Sequence, residues 1–280
     1  MAAKPVVVAV DGSQGSLCAV EWAAADAVRR ASPLRIVSVP AMPPRMQADD
    51  LPTPTVADEL RDFSEQALAT GLARARDIAP DLVIETHLLS GPPALAVAGS
   101  GADALVVVVG ARGIGEFAAM LLGSVSRYAA THSSSPVVVV RGDLAAVHGQ
   151  IVVGVRDPHE AAEALVFAFE EAALRGAGLV AIRSSHGAPH ARAGQPPGQA
   201  DGSLSEFLNG WRGKYPAVAV RQEVVREHPA QVLAEYSARA DLVVIGRHGG
   251  SRARTAVGSV QHALLSHAHG PVAIVPSEEG

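Results

Sequence analysis

Five short runs of almost unbroken apolar residues punctuate the first half of the chain: "PVVVAV" (5–10), "LRIVSV" (34–39), "LVIETHLL" (82–89), "ALVVVV" (104–109) and "PVVVV" (136–140). Hydrophobicity at nearly every position, with many β-branched residues, predicts parallel strands covered on both faces rather than strands with one wet side. Between them the period changes. "SLCAVEWAAADAVRRA" (16–31) and "ELRDFSEQALATGLARARDIA" (59–79) place apolar residues at helical spacing. Parallel strands need such crossovers, which are right-handed in nearly all cases.

The same pattern is then written a second time. "VVVAVDGSQGS" from Val6 reappears as "IVVGVRDPHEA" from Ile151, an offset of 145 that also carries "LRIVSV" onto "LVAIRS" (179–184) and Trp22 onto Phe167. Gly110 falls on Gly246 at an offset of 136, and Gly123 on Gly258 at 135. The second copy is therefore shorter between its second and third strands, and by one residue inside a glycine-rich loop. The reading is α/β, with two tandem doubly wound domains at 1–141 and 150–280 joined by "RGDLAAVHGQ" (141–150). After its second strand each copy carries a Pro-, Gly- and polar-rich stretch, 40–54 and 186–203, expected to be an exposed loop. His186 and His190 lie four apart in the latter, but Pro189 and the flanking glycines argue against a helix that would turn them into a metal pair.

Composition narrows the class. With 48% hydrophobic and 4% aromatic residues, the cores are expected to rest on Val, Leu, Ile and Ala. A formal net charge of -5 without a basic tract gives nucleic acid little electrostatic purchase. No apolar run approaches the ~18 residues of a membrane span, and the chain enters "PVVVAVDGS" without an export signal, so a cytoplasmic location is expected. Cys18, the single cysteine, falls on the apolar side of its helix and is expected to be a buried structural thiol.

The glycines carry the candidate chemistry. In open α/β sheets the ligand crevice lies beyond the C-terminal ends of the strands, where strand order reverses. Two loops of the first copy should meet there, one with Asp11, Gly12 and Ser13 and one running from Gly110 to Ser124. Glycine lets the backbone approach an anion, Ser124 stands where an N-cap belongs, and a helix N-terminus offers amides to phosphate. Arg112 and Arg127 add local positive charge. The loop is neither a Walker A sequence nor a Rossmann GxGxxG.

"VVVAVDGS", the G-x2-G-x9-G-S stretch "GARGIGEFAAMLLGS", the continuation "VS" and the closing "PVVVVR" together resemble the universal stress protein family in its tandem form. The resemblance implies five-stranded parallel sheets in 3-2-1-4-5 order and binding of adenine nucleotide, ATP with a divalent metal such as Mg²⁺. It also implies a cytoplasmic stress or growth-control role. By position, the nucleoside contact falls on Val10, Asp11, Gly12 and Ser13. The phosphate contacts fall on Gly110, Arg112, Gly113, Gly123, Ser124, Val125 and Ser126. The final strand is the family's usual dimer contact, so "PVVVV" and "PVAIV" (271–275) are expected to lie side by side in a pseudo-dimer, with a homodimer also open.

The second copy departs from the motif. It keeps Gly246, Gly249, Gly258 and Ser259, but only eight residues separate the second and third of these glycines. Arg156 stands where the first copy has Asp11, and Asp157-Pro158 replaces Gly12-Ser13. Arg247, His248, Arg252 and Arg254 make its loop more basic, so adenine nucleotide is still the expected ligand of Gly246, Gly249, Gly258 and Ser259, with phosphate alone or a different anion also open. His262, His267 and His269 read as a solvated helix face. The leading function is a nucleotide-dependent regulatory switch acting on an unknown protein partner, with no catalytic residue assigned. Glu116 is the only carboxylate between Gly110 and Ser126, which favours little or slow turnover. An ATPase or adenylating ATP pyrophosphatase is the enzyme alternative, although "VDGSQGS" orders its acid and glycines differently from SGGxDS. A nucleotide-free scaffold is the third reading, against which the intact first motif argues.

Overall fold

A computed structural model describes residues 3–40, 54–113, 122–142, 144–157, 160–185, 199–247 and 258–277. The chain divides into two compact units, Met1–Arg141 and Gly142–Gly280. In the first, the elements run β1 (Val6–Ala9), α1 (Gln14–Arg29), β2 (Leu34–Ser38), α2 (Pro54–Ile78), β3 (Ile84–Leu88), α3 (Pro93–Gly99), β4 (Val106–Gly110), α4 (Ser124–His132) and β5 (Val137–Val140). The strands are parallel and ordered β3-β2-β1-β4-β5, with Val6 level with both Leu34 and Val106. The β-branched runs sit where both faces are covered: Val6, Val7, Val8, Val106, Val107 and Val108 are wholly buried.

Two expectations are corrected in this unit. The third apolar run does not make a covered strand: β3 ends the order, and Glu85, Thr86 and His87 are exposed along it. Charged side chains on an edge discourage pairing with another chain. Arg35 of β2 ties this edge down by binding Glu85 at 3.2 Å and Asp103 at 3.0 Å, which holds both carboxyls below their ordinary pKa. Cys18 is half-buried rather than enclosed, with the Gln14 amide 3.8 Å from its sulfur, because it lies on the flank of α1 and not on its core stripe.

The second unit contains β6 (Gln150–Gly154), α5 (Ala162–Arg175), β7 (Gly178–Ser184), α6 (Gln199–Lys214), β8 (Val220–Val225), α7 (Pro229–Tyr236), β9 (Leu242–Gly246), α8 (Ser259–His267) and β10 (Val272–Val275). Its order, β8-β7-β6-β9-β10, is the same 3-2-1-4-5 arrangement. The copies share a buried carboxylate one turn from an arginine: Asp26 with Arg30 at 2.7 Å in α1, and Glu171 with Arg175 at the equivalent place in α5.

Their cores differ. Phe169 of α5 is fully buried and stacks on Trp211 and Tyr215 of the α6 region, with centroids 6.1 and 5.7 Å away. The first copy has Ala24 at the position of Phe169, and α2 comes close through Gly71, where a Cβ would sit 3.3 Å from Val10 Cγ1. The low aromatic content therefore hides a concentration: the second unit does build on aromatic side chains.

Candidate functional site

The first crevice is assembled from the chain leaving β1 and the chain leaving β4. After β1 the backbone turns at Gly12, whose φ of 80° is in the region that only glycine occupies at little cost. That turn delivers Ser13 to the N-cap of α1, where its hydroxyl accepts from the Ser16 amide. The same hydroxyl donates to Asp11 Oδ1 at 2.6 Å, and the Ser13 amide donates to that oxygen at 3.0 Å. Asp11 is thus a turn-forming residue through Oδ1. Its Oδ2 faces Gly113, where a Cβ would overlap it. The carboxylate is held half-buried and oriented at the C-terminal edge of β1, beside buried Val10.

The three motif glycines serve different needs. Gly110 is glycine because α1 leaves no room: a Cβ there would lie 2.6 Å from the Gly15 backbone carbonyl. Gly15 in turn faces the Arg112 carbonyl, where a Cβ would come within 2.7 Å. This pair lets the first turn of α1 press against the end of β4, and sequence reasoning passed over Gly15, whose only signal was the second glycine of "DGSQGS". Gly113 makes room for Asp11. Gly123 has no such constraint among the described residues: its φ of -69° and ψ of 150° suit any residue, and the nearest described neighbours of a Cβ would be 3.6 Å away.

Gly123, not Ser124, is the N-cap of α4, which corrects the expected assignment; Ser124 is the first helical residue, and it is exposed. Both residue types cap well, so sequence alone does not choose between them. With a glycine at the cap no side chain satisfies the first turn, and the amides of Ser124, Val125 and Ser126 precede the first intrahelical bond, Arg127 N–H to Gly123 O at 3.0 Å. The Ser126 hydroxyl is already committed, donating to the Gly110 carbonyl at 2.6 Å, so its backbone N–H is the group it offers at the site. The loop is pinned at its ends by the Gly123 amide on the Ala111 carbonyl at 2.9 Å. Arg112 is exposed at its start. Arg141, which follows β5, is held below its ordinary pKa by burial and by the nearby Arg112 cation. The two guanidiniums are near enough for their charges to interact, a local concentration of positive charge that suits an anion. Arg141 closes the quoted "PVVVVR" but carried no role in the sequence reading.

The corresponding place in the second unit is a cleft of roughly 260 Å³ lined by residues of β6, β7, β9, α7 and the start of α8. Arg156 lies on it in place of Asp11, 2.6 Å from Glu160. Here α5 begins only at Ala162, behind an Ala161 cap with no capping side chain. The helix start is thereby withdrawn three residues relative to α1, whose counterpart position is 159. Gly258 caps α8 as Gly123 caps α4, Ser259 opens the helix, and Gly246 ends β9; all three line the cleft. Arg247 follows, its pKa lowered by burial. His262, His267 and His269 are exposed, as expected. Gly249, His248, Arg252, Arg254, Glu116, His186, His190 and Pro158 lie outside the described residues.

Comparison with known proteins shows the family. The model of the universal stress protein family matches twice, over residues 2–141 and 148–276. Universal stress protein Rv2005c of Mycobacterium tuberculosis is 34% identical over 96% of both chains. A universal stress protein from Archaeoglobus fulgidus DSM 4304 superposes with a TM-score of 0.76, covering 99% of each chain at 19% identity. A universal stress protein crystallised in complex with cAMP aligns with 50% of this chain and 99% of its own, at 30% identity and a TM-score of 0.38.

Proposed function

The chain belongs to the universal stress protein family, and on that premise we propose that its first unit binds ATP and that the bound nucleotide regulates the protein's association with a partner in a stress or growth-control response. The observation that carries this reading is Gly123. Glycine costs conformational entropy, and among the described residues neither its dihedrals nor its neighbours require it. The missing side chain leaves the α4 amides open to an incoming group, which supports the reading.

In this reading the phosphates rest on the amides of Ser124, Val125 and Ser126, with Arg112 and Arg141 supplying compensating charge. Asp11 Oδ2 accepts from the ribose hydroxyls, its geometry fixed by the two bonds from Ser13 to Oδ1. Mg²⁺, when present, neutralises phosphate charge. Among the described residues no three His, Cys, Asp or Glu side chains gather to hold a metal, so the ion is proposed to arrive on the phosphates. Nucleotide then acts by differential stabilisation of one assembly rather than by rapid turnover. Pairing of the apolar last strands, β5 and β10, in a pseudo-dimer and a cytoplasmic location belong to the same proposal. No helix among the described residues is long and apolar enough to cross a membrane.

Gly123→Val tests the assignment, since the dihedrals and the described neighbours accept a side chain. Calorimetry should show a folded variant whose ATP affinity has fallen at least tenfold, about 1.4 kcal/mol. Undiminished binding by the folded variant refutes the site.

A further inference from the structure

The sheet register of the first unit sets opposite charges at the two ends of one row. Val8, Val108 and Val138 stand level across β1, β4 and β5. Three residues further on, the same row reads Asp11, Ala111 and Arg141. The ladder runs on past the strand ends, since the Val10 amide donates to the Val37 carbonyl at 2.8 Å and the Ala111 amide to the Val140 carbonyl at 2.9 Å. The carboxylate and the arginine are therefore two strand steps apart, about 10 Å. Arg141 is half-buried and close enough to Arg112 for the two cations to interact. The second copy keeps neither end of the row. There Val153, Val244 and Ala273 stand level, and three residues on come Arg156, Arg247 and Pro276.

Resting on the reading that nucleotide occupies this crevice with its ribose at Asp11, we infer that Arg141 measures the length of the phosphate chain, so that the first unit selects a nucleoside triphosphate over the monophosphate. An α-phosphate is joined directly to the ribose and reaches only the middle of the row, at the end of β4. The terminal phosphates extend a further step, to the end of β5. An arginine there meets them with a planar fork of donors, which phosphoryl oxygens accept as charge-assisted hydrogen bonds. Selectivity is the difference between two affinities, and a contact made by the terminal phosphates alone enters one affinity and not the other. Pro276, at the matching place in the second copy, offers neither charge nor donor, so that copy lacks this means of telling the two nucleotides apart.

The test is calorimetric titration of the full chain with ATP and with AMP at fixed salt, repeated on Arg141→Gln and Arg141→Lys. ATP should bind the parent at least tenfold more tightly than AMP. In Arg141→Gln that ratio should narrow about tenfold, the scale of one charge-assisted hydrogen bond, with most of the loss on the ATP side. Arg141→Lys keeps the charge without the fork and should recover part of the ratio. A ratio unchanged in Arg141→Gln overturns the inference. So does a loss that falls equally on ATP and AMP, which is what an arginine with a merely structural role would give. A parent that binds ATP and AMP equally well overturns it while leaving nucleotide binding in place, whereas a parent that binds neither removes the reading beneath it as well.

Discussion

The two crevices are built by the same strand order and the same glycine-capped helix, yet they diverge where a ligand would be chosen. In the first, Ser13 caps α1 at once, Asp11 is locked by that cap, and the helix presses onto β4 through Gly15 and Gly110. In the second the cap serine is gone, α5 starts three residues late, and an arginine lines the cleft. The glycine-capped helix start, with no capping side chain among the described residues, survives in both copies. The part facing the rest of a ligand does not. Duplication thus preserves what the backbone supplies and frees what side chains supply.

The comparison extends to the cores, and its sharpest break is there. Phe169→Ala removes a fully buried ring and should destabilise the second unit by about 3–5 kcal/mol. Trp211 fluorescence in urea, recorded with Trp22 replaced by phenylalanine as in the second copy's Phe167, gives the readout. A loss below ~1 kcal/mol would mean that the aromatic stack is not what holds α5 to α6. Next in size is Gly110→Ala, which forces a Cβ into the backbone of α1 and should cost the first unit about 1–3 kcal/mol. Trp22 reports it in a Trp211→Phe background. Unchanged stability would show that α1 moves away freely and that the close approach is not a constraint.

The smallest effect concerns the β3 edge. The second copy carries Val180 where the first has Arg35. Glu85 and Asp103 have folded pKa values depressed by Arg35, so their contribution is present above the ordinary carboxyl range and is lost as pH falls through the lowered values, below roughly pH 4. Because both carboxylates are largely exposed, Arg35→Ala should cost about 0.2–1 kcal/mol at pH 7 and nothing further in acid. A variant whose deficit grows in acid contradicts this account.

Much of the fold was legible because buried parallel strands write continuous apolar runs, and because the chain writes them twice with a fixed offset. The exposure of β3 was not read from its apolar run, although the 3-2-1-4-5 order implied by the resemblance puts it at an edge and Glu85, Thr86 and His87 hinted at it. The capping residue slipped by one between Gly123 and Ser124, where propensity is nearly indifferent. Gly110 looked like a phosphate glycine, but its reason lies in Gly15, ninety-five positions away and visible only when the two backbones meet. Arg141 was missed for a similar reason: a cation after a strand means little until Arg112 is found beside it. The aromatic cluster escaped because composition averages over a chain whose two halves pack differently.

Counting ATP on the intact protein tests the central claim most directly. Calorimetric titration with Mg²⁺ present should give one ATP per chain. Asp11→Asn keeps an acceptor for the Ser13 bonds but loses the charge, and it should weaken binding about tenfold or more, while Arg156→Gln leaves it unchanged. Two equivalent ATP sites per chain, or an Asp11→Asn protein that binds like the parent, would contradict the account.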